Sequence, residues 1–158
     1  MYNVFDLYCD TDSFNRVAEN YDNVDLKSLD NQLELIKEEF DELIKGHNEG
    51  DLEEIVDGCA DVAVTLFGYM RKLECFYGID FSDIMKAVGE NNLSKFPSDA
   101  TVATETSAYY DIEKGVRTSV TYNSDYKCYV IRNAETGKIL KPLGFTAVDL
   151  KPFLPKVH

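Results

Sequence analysis

Apolar residues recur every three or four positions through much of the first hundred residues, a spacing that divides this stretch into amphipathic helices. Leu33, Ile36, Phe40 and Leu43 mark the inner face of one helix, which Ser28 opens as an N-cap and Gly46 closes, leaving 47–50 as a turn. The next helix, over 51–77, is the longest and most apolar, with Ile55, Val56, Cys59, Val62, Leu66, Met70 and Leu73 expected inward and Gly78 ending it. Another covers 81–95 and stops before Pro97, because the residue preceding a proline is pushed out of the helical region. A short helix over 12–21 carries Phe14, Val17 and Tyr21. Helices of this kind joined by short turns predict an antiparallel bundle.

The pattern changes after Pro97. One more short helix is expected over 101–113, and then 116–122 and 126–132 alternate, rich in β-branched and aromatic residues. Asn123, Ser124 and Asp125 between them predict a hairpin, and residues 133–137 turn into a third short strand at 138–140. Pro142, Pro152 and Pro155 break up the remainder. The expected fold is mainly α: an antiparallel helical bundle over 1–97, with a small α+β extension containing a β-hairpin packed on it over 98–158.

Composition narrows the class. A chain of 158 residues, 44% hydrophobic and 12% aromatic, has the material for one packed domain with a small appendage. No run approaches the roughly 18 consecutive apolar residues of a membrane span. The amino terminus is acidic where a secretory signal would be basic, then apolar, so the expectation is a soluble cytoplasmic protein with no membrane partner. Cys9, Cys59, Cys75 and Cys128 form no CxxC pair and are expected to be free, buried thiols in a reducing compartment. Sixteen basic against 29 acidic residues give a formal charge of −13, which argues against a nucleic-acid partner.

Some of those acids gather on defined faces. At about 100° per residue, Glu38 and Glu42 lie roughly 40° apart, with Glu39 in the same 100° arc. On the following helix Glu54, Asp57 and Asp61 occupy an arc of about 60°. Antiparallel pairing of the two helices would bring these carboxylates together, and burying such a cluster unpaired costs several kcal/mol per charge. A divalent cation removes that penalty, and all-oxygen ligands suit Mg²⁺, with Mn²⁺ as a substitute. The plain alternative is a solvated acidic face: Asp51 to Glu54 also reads as a capping box, and Lys37 and Lys45 could pair weakly with Glu38 and Glu42. Asp57 and Asp61 weigh against it, because they interrupt the most hydrophobic helix. Di-iron, EF-hand, HExxH and phosphate-loop chemistry all lack their residues, and His47 and His158 are too few for a histidine-based nucleophile site.

The EExxE at Glu38, Glu39 and Glu42, followed by ExxD at Glu54 and Asp57, resembles the signature of the all-α nucleoside triphosphate pyrophosphohydrolases, the MazG-like and phosphoribosyl-ATP pyrophosphohydrolase-like proteins. The DxxAD segment Asp57–Asp61 and the NxSKF stretch Asn92–Phe96 resemble the phosphoribosyl-ATP branch, and Gly137–Pro142 with Asp149 and Leu150 is similar to phage-borne members. The likeness runs over about 30–153. It implies Mg²⁺-dependent hydrolysis of (deoxy)nucleoside triphosphates between the α and β phosphates. Glu39, Glu42, Glu54 and Asp57 would be metal ligands, Asp61 a ligand or its support, and Glu38 a further ligand or the base. Lys95 would contact phosphate, Asn92 the nucleotide, and Gln32 is a candidate for the base. A homodimer or homotetramer is implied too, in a host's cytoplasm if the chain is phage-encoded. Phosphoribosyl-ATP hydrolysis and a non-catalytic nucleotide-binding module are the alternatives.

Overall fold

The computed structural model describes residues 1 and 3–155. Five α-helices precede one β-hairpin: α1 Val4–Val17, α2 Leu26–Glu49, α3 Leu52–Tyr77, α4 Phe81–Leu93, α5 Ala100–Glu113, then β1 Thr118–Asn123 and β2 Cys128–Asn133, with a closing 3-10 turn at Lys151–Phe153. The fold is mainly α with a small β-hairpin, as expected. No helix among the described residues is long and apolar enough to cross a membrane. The chain forms two compact units, Met1–Phe81 joined by the chain from Phe153, and Ser82–Pro152, so the division falls ahead of α4 rather than at residue 97.

In the first unit, local side-chain chemistry sets the helix ends. Asn3 and Asp6 form a reciprocal capping box that starts α1 at Val4, eight residues before the expected Asp12, and α1 ends before Tyr21. Asp25, not Ser28, caps α2: Ser28 N donates to Asp25 Oδ1 at 2.7 Å while Asp25 N donates to Ser28 Oγ at 3.0 Å. The helix also runs through Gly46 to Glu49, and the reversal is left to Gly50, whose φ of 71° costs glycine nothing sterically. Asp51 then caps α3.

The pairing of α2 with α3 is antiparallel and close. A Cβ on Gly46 would lie 2.8 Å from Glu54 Cβ, and one on Gly58 would lie 3.0 Å from Leu43 Cα. Farther along, Gln32 Nε2 donates to the Thr65 carbonyl at 3.0 Å, and Lys72 Nζ reaches the Ser28 carbonyl at 3.4 Å. Each step forward on α2 is thus a step back on α3. Helix α1 is pinned to α3 by Arg71, whose Nε donates to Asp12 at 2.8 Å and whose Nη1 donates to Glu74 at 2.6 Å. Tyr8 adds a hydroxyl bond to Glu74 and an edge-on ring contact with Phe67. Burial and the adjacent Glu74 carboxylate push the Tyr8 phenol up to about 12.

Several residues expected inside this unit are outside. Leu29 and Met70 are buried, but Phe40 is 51% and Val56 62% exposed, and Leu33, Leu66, Cys9, Cys59 and Cys75 are exposed as well. The four cysteines are free, as expected, and Cys128 is half-buried, so none has the full burial foreseen. The physical reason is geometric. Two long helices packed closely on each other turn only a narrow stripe inward, and the flank carrying Phe40, Val56 and Leu66 stays uncovered.

In the second unit, β1 and β2 pair antiparallel from Thr118 opposite Asn133 to Asn123 opposite Cys128. Asn123 Oδ1 accepts from the amides of Asp125 and Tyr126, and Lys127 takes φ 52°, closing a longer turn than Asn123–Asp125 alone. Ile131 and Thr106 are fully buried, and the Thr106 hydroxyl accepts from Leu143 N at 2.9 Å. The expected third strand is reduced to one bridge, Arg132 with Ile139. Gly137 ends the preceding turn, and Pro142 soon removes a backbone donor, which leaves little chain to pair.

Two substitutions test this packing. Gly46→Ala improves intrinsic helix propensity by about 1 kcal/mol. Its methyl meets Glu54 Cβ at 2.8 Å, so urea unfolding is expected to show a net loss of about 1–3 kcal/mol. Gly89→Ala in α4, with nothing within 4 Å of the new methyl, should gain about 0.5–1 kcal/mol instead. Asp12 carries a second test. Burial alone would raise its carboxyl, but its bonds to Arg16 and Arg71 outweigh that and hold it below the ordinary value. A depressed carboxyl stabilises the fold above its unfolded pKa and loses that contribution as pH falls through the folded one. Asp12→Asn is therefore expected to cost about 1–2 kcal/mol at pH 7 and progressively less below about pH 4, followed by urea titrations across that range.

Candidate metal and nucleotide site

The two glycines that let α2 and α3 touch also set which carboxylates face one another. With Gly46 beside Glu54 and Leu43 beside Gly58, the antiparallel register places Glu39 level with Asp61 and Glu42 level with Gly58 and Cys59, next to Asp57. The electrostatics agree. Burial raises the Glu39 carboxyl first, and next in order come Asp61 from the facing helix, Glu42 and Glu38 from its own, and Asp57. Glu39 and Asp61 are half-buried, while Glu38, Glu42, Glu54 and Asp57 are exposed.

No basic side chain among the described residues pairs with these charges. Among the described residues, none of the six side chains accepts a hydrogen bond or joins an ion pair, and Lys37 pairs with Glu34 instead of Glu38. Glu54 and Asp57, with Glu53, line an open groove of about 630 Å³ walled by Leu52, Val56 and Ala60. Among the described residues, no three acidic, thiol or imidazole groups stand close enough to hold an ion together. The donors fit a hard divalent cation in kind, all oxygen and all uncompensated. Closing them round one ion is left to rotation of the exposed carboxylates, which no contact ties down.

Gln32 is buried, and its Nε2 is committed to the Thr65 carbonyl, where it ties the two helices together beside Gly68. Asn92 and Lys95 belong to the second unit, at the end of α4, where Lys95 Nζ donates to Asn92 Oδ1 at 2.7 Å. Two residues matter more than their sequence context implied. Gly46 reads as a helix stop and Gly58 only as part of the DxxAD segment, whereas both are contact points between the two helices. The signal was present: each helix carries one glycine within the paired stretch, and each glycine falls against a residue of the other helix once the two run antiparallel.

Comparison with known proteins gives a family for the stretch that carries these helices. The family profile described as Phosphoribosyl-ATP pyrophosphohydrolase matches residues 14–92, half of the chain. All six carboxylates, Gln32 and Asn92 lie inside that span; Lys95 and the hairpin lie beyond it. An uncharacterized protein of Acanthamoeba polyphaga mimivirus is 33% identical over 97 residues, covering 58% of this chain and 37% of the viral protein's own length. No solved structure gives a significant match. With the paired acidic helices inside the matched span, the chain belongs to the phosphoribosyl-ATP pyrophosphohydrolase family, within the MazG-like all-α nucleotide pyrophosphohydrolase superfamily.

Proposed function

We propose that the chain hydrolyses (deoxy)nucleoside triphosphates between the α and β phosphates, releasing a nucleoside monophosphate and pyrophosphate, with Mg²⁺ as cofactor and Mn²⁺ as a substitute. One observation carries the reading: uncompensated carboxylates from two helices meet in register, in a chain of a pyrophosphohydrolase family. Glu39, Glu42, Glu54, Asp57 and Asp61 would hold the cation, which when bound neutralises the cluster and stabilises charge growing on the leaving pyrophosphate. Glu38 would accept the proton of the water that attacks the α phosphorus as the bond to the bridging oxygen breaks. Lys95 and Asn92 would take the phosphate and nucleoside parts of the substrate. A cytoplasmic setting, in a host if the gene is carried by a phage, supplies both nucleotides and magnesium.

The uncovered flank of the first unit supports self-association. Leu33, Phe40 and Ile44 on α2, with Leu52, Val56 and Leu66 on α3, recur at helical spacing and are exposed. A homodimer or homotetramer would bury them. Phosphoribosyl-ATP as substrate is the second reading, favoured by the name of the matching family.

Two experiments bear on this. Pyrophosphate release measured against the ribo- and deoxynucleoside triphosphates and phosphoribosyl-ATP, with Mg²⁺, Mn²⁺ or EDTA, is expected to give monophosphate plus pyrophosphate with metal and nothing in EDTA. Diphosphate plus phosphate, or turnover surviving EDTA, would overturn the reading, and silence on every substrate would favour a non-catalytic nucleotide-binding module. Glu39→Gln is expected to abolish turnover yet raise the thermal midpoint in EDTA by about 1–3 °C, since like charges one turn apart repel by a few tenths of a kcal/mol per pair. Circular dichroism melts check the second half, and a lowered midpoint would contradict the repulsion.

A further inference from the structure

The second unit contains a groove that the carboxylate chemistry does not use. It measures about 590 Å³ and lies between the end of α4 and one face of the hairpin. Leu93 and Phe96 form the α4 side. Strand alternation puts Cys128, Val130 and Arg132 on one face of β2, and all three line the groove, while Ile131 points the other way and is fully buried. Tyr126, 81% exposed at the hairpin turn, completes the rim. A hydrogen bond from Tyr129 N to the Pro97 carbonyl, 2.8 Å, holds the two walls together. The groove is therefore built by the fold of this unit alone.

Its charge sets it apart. Residues 1–81 hold twenty acidic and six basic side chains, whereas Lys114, Arg117, Lys127, Arg132, Lys138 and Lys141 face only Asp125 and Glu135 over 114–141. Among the described residues Arg132 is the one charged side chain lining the groove, and of its nitrogens Nη1 alone is engaged there, with the Gly137 carbonyl at 3.2 Å. A guanidinium with free donors suits phosphate oxygens, and aromatic walls suit a flat π-system. The volume is that of a small-molecule site, roughly 300–1,000 Å³. A nucleic-acid strand would need a longer basic track.

We propose that this groove binds a nucleoside monophosphate without a metal ion, its base against Phe96 and Tyr126 and its phosphate on Arg132. The choice of a nucleotide among planar anions rests on the pyrophosphohydrolase reading, whose product is such a molecule. A monophosphate held here would let product level feed back on the enzyme.

Cys128 supplies the readout, because its half-buried thiol lines the groove. The full chain in EDTA is alkylated with iodoacetamide, and each cysteine is followed by peptide mass spectrometry, with exposed Cys9 and Cys75 as internal references. Saturating AMP or dTMP is expected to slow alkylation of Cys128 about tenfold and to leave the reference cysteines unchanged. Arg132→Met and Tyr126→Ala, both at exposed positions and checked for folding by circular dichroism, should abolish that protection. Unprotected Cys128, equal protection by inorganic phosphate alone, or protection persisting in both variants would each overturn the proposal. Because no turnover occurs in EDTA, protection alongside a failed hydrolysis assay sinks only the activity. Hydrolysis without protection sinks only the groove.

Discussion

The contact of α2 with α3 at Gly46 and Gly58 is the constraint on which the site depends. Backbones that approach until a single methyl would collide leave the facing side chains no freedom over which residue they oppose. Glu39 then lies level with Asp61, and Glu42 one position past Asp57. Close packing and like charge act against each other here. The helices are held together by Leu29, Met70, the Gln32–Thr65 bond and the glycine contacts, while their middle carries uncompensated acids. A site strained in this way is stable only because its surroundings are.

The rest of the first unit sustains that contact. Helix α1 adds no carboxylate to the cluster; it clamps the far end of α3 through Arg71, Asp12 and Glu74, where each acid has a basic partner. The contrast within one helix is informative. Glu74, the one acid near the C-terminal end of α3, is paired with Arg71, and Glu53, Glu54, Asp57 and Asp61 toward its N-terminal end join no ion pair among the described residues. Acidic composition alone would not produce that asymmetry.

Periodicity made much of this legible. The bounds of α3, the existence of α4 and α5, the hairpin and the convergence of carboxylates from two helices follow from spacing of three and four, from caps, and from turn residues. The helix starts were harder, because Asn3 and Asp25 outcompete Asp12 and Ser28 through reciprocal bonds that a single cap residue does not reveal. Burial was misread for Phe40, Val56, Leu66 and Cys59, because a helical stripe shows that a face is apolar and says nothing of whether this chain or another covers it. Gly46 was read as a stop because a glycine inside a helix carries the same local signal as one ending it. Gln32 was read as a base contact, but a buried amide bonded to a backbone carbonyl already has an occupation that no linear pattern displays.

The proposed divalent ion is where packing and chemistry would meet, and electron paramagnetic resonance of Mn²⁺ titrated into the full chain tests it directly. The free-ion signal is expected to disappear stoichiometrically with the natural sequence and to persist in an Asp57→Asn, Asp61→Asn double variant that keeps its helical content. Equal loss of signal in both, or none in either, would contradict the view that α2 and α3 share a divalent cation.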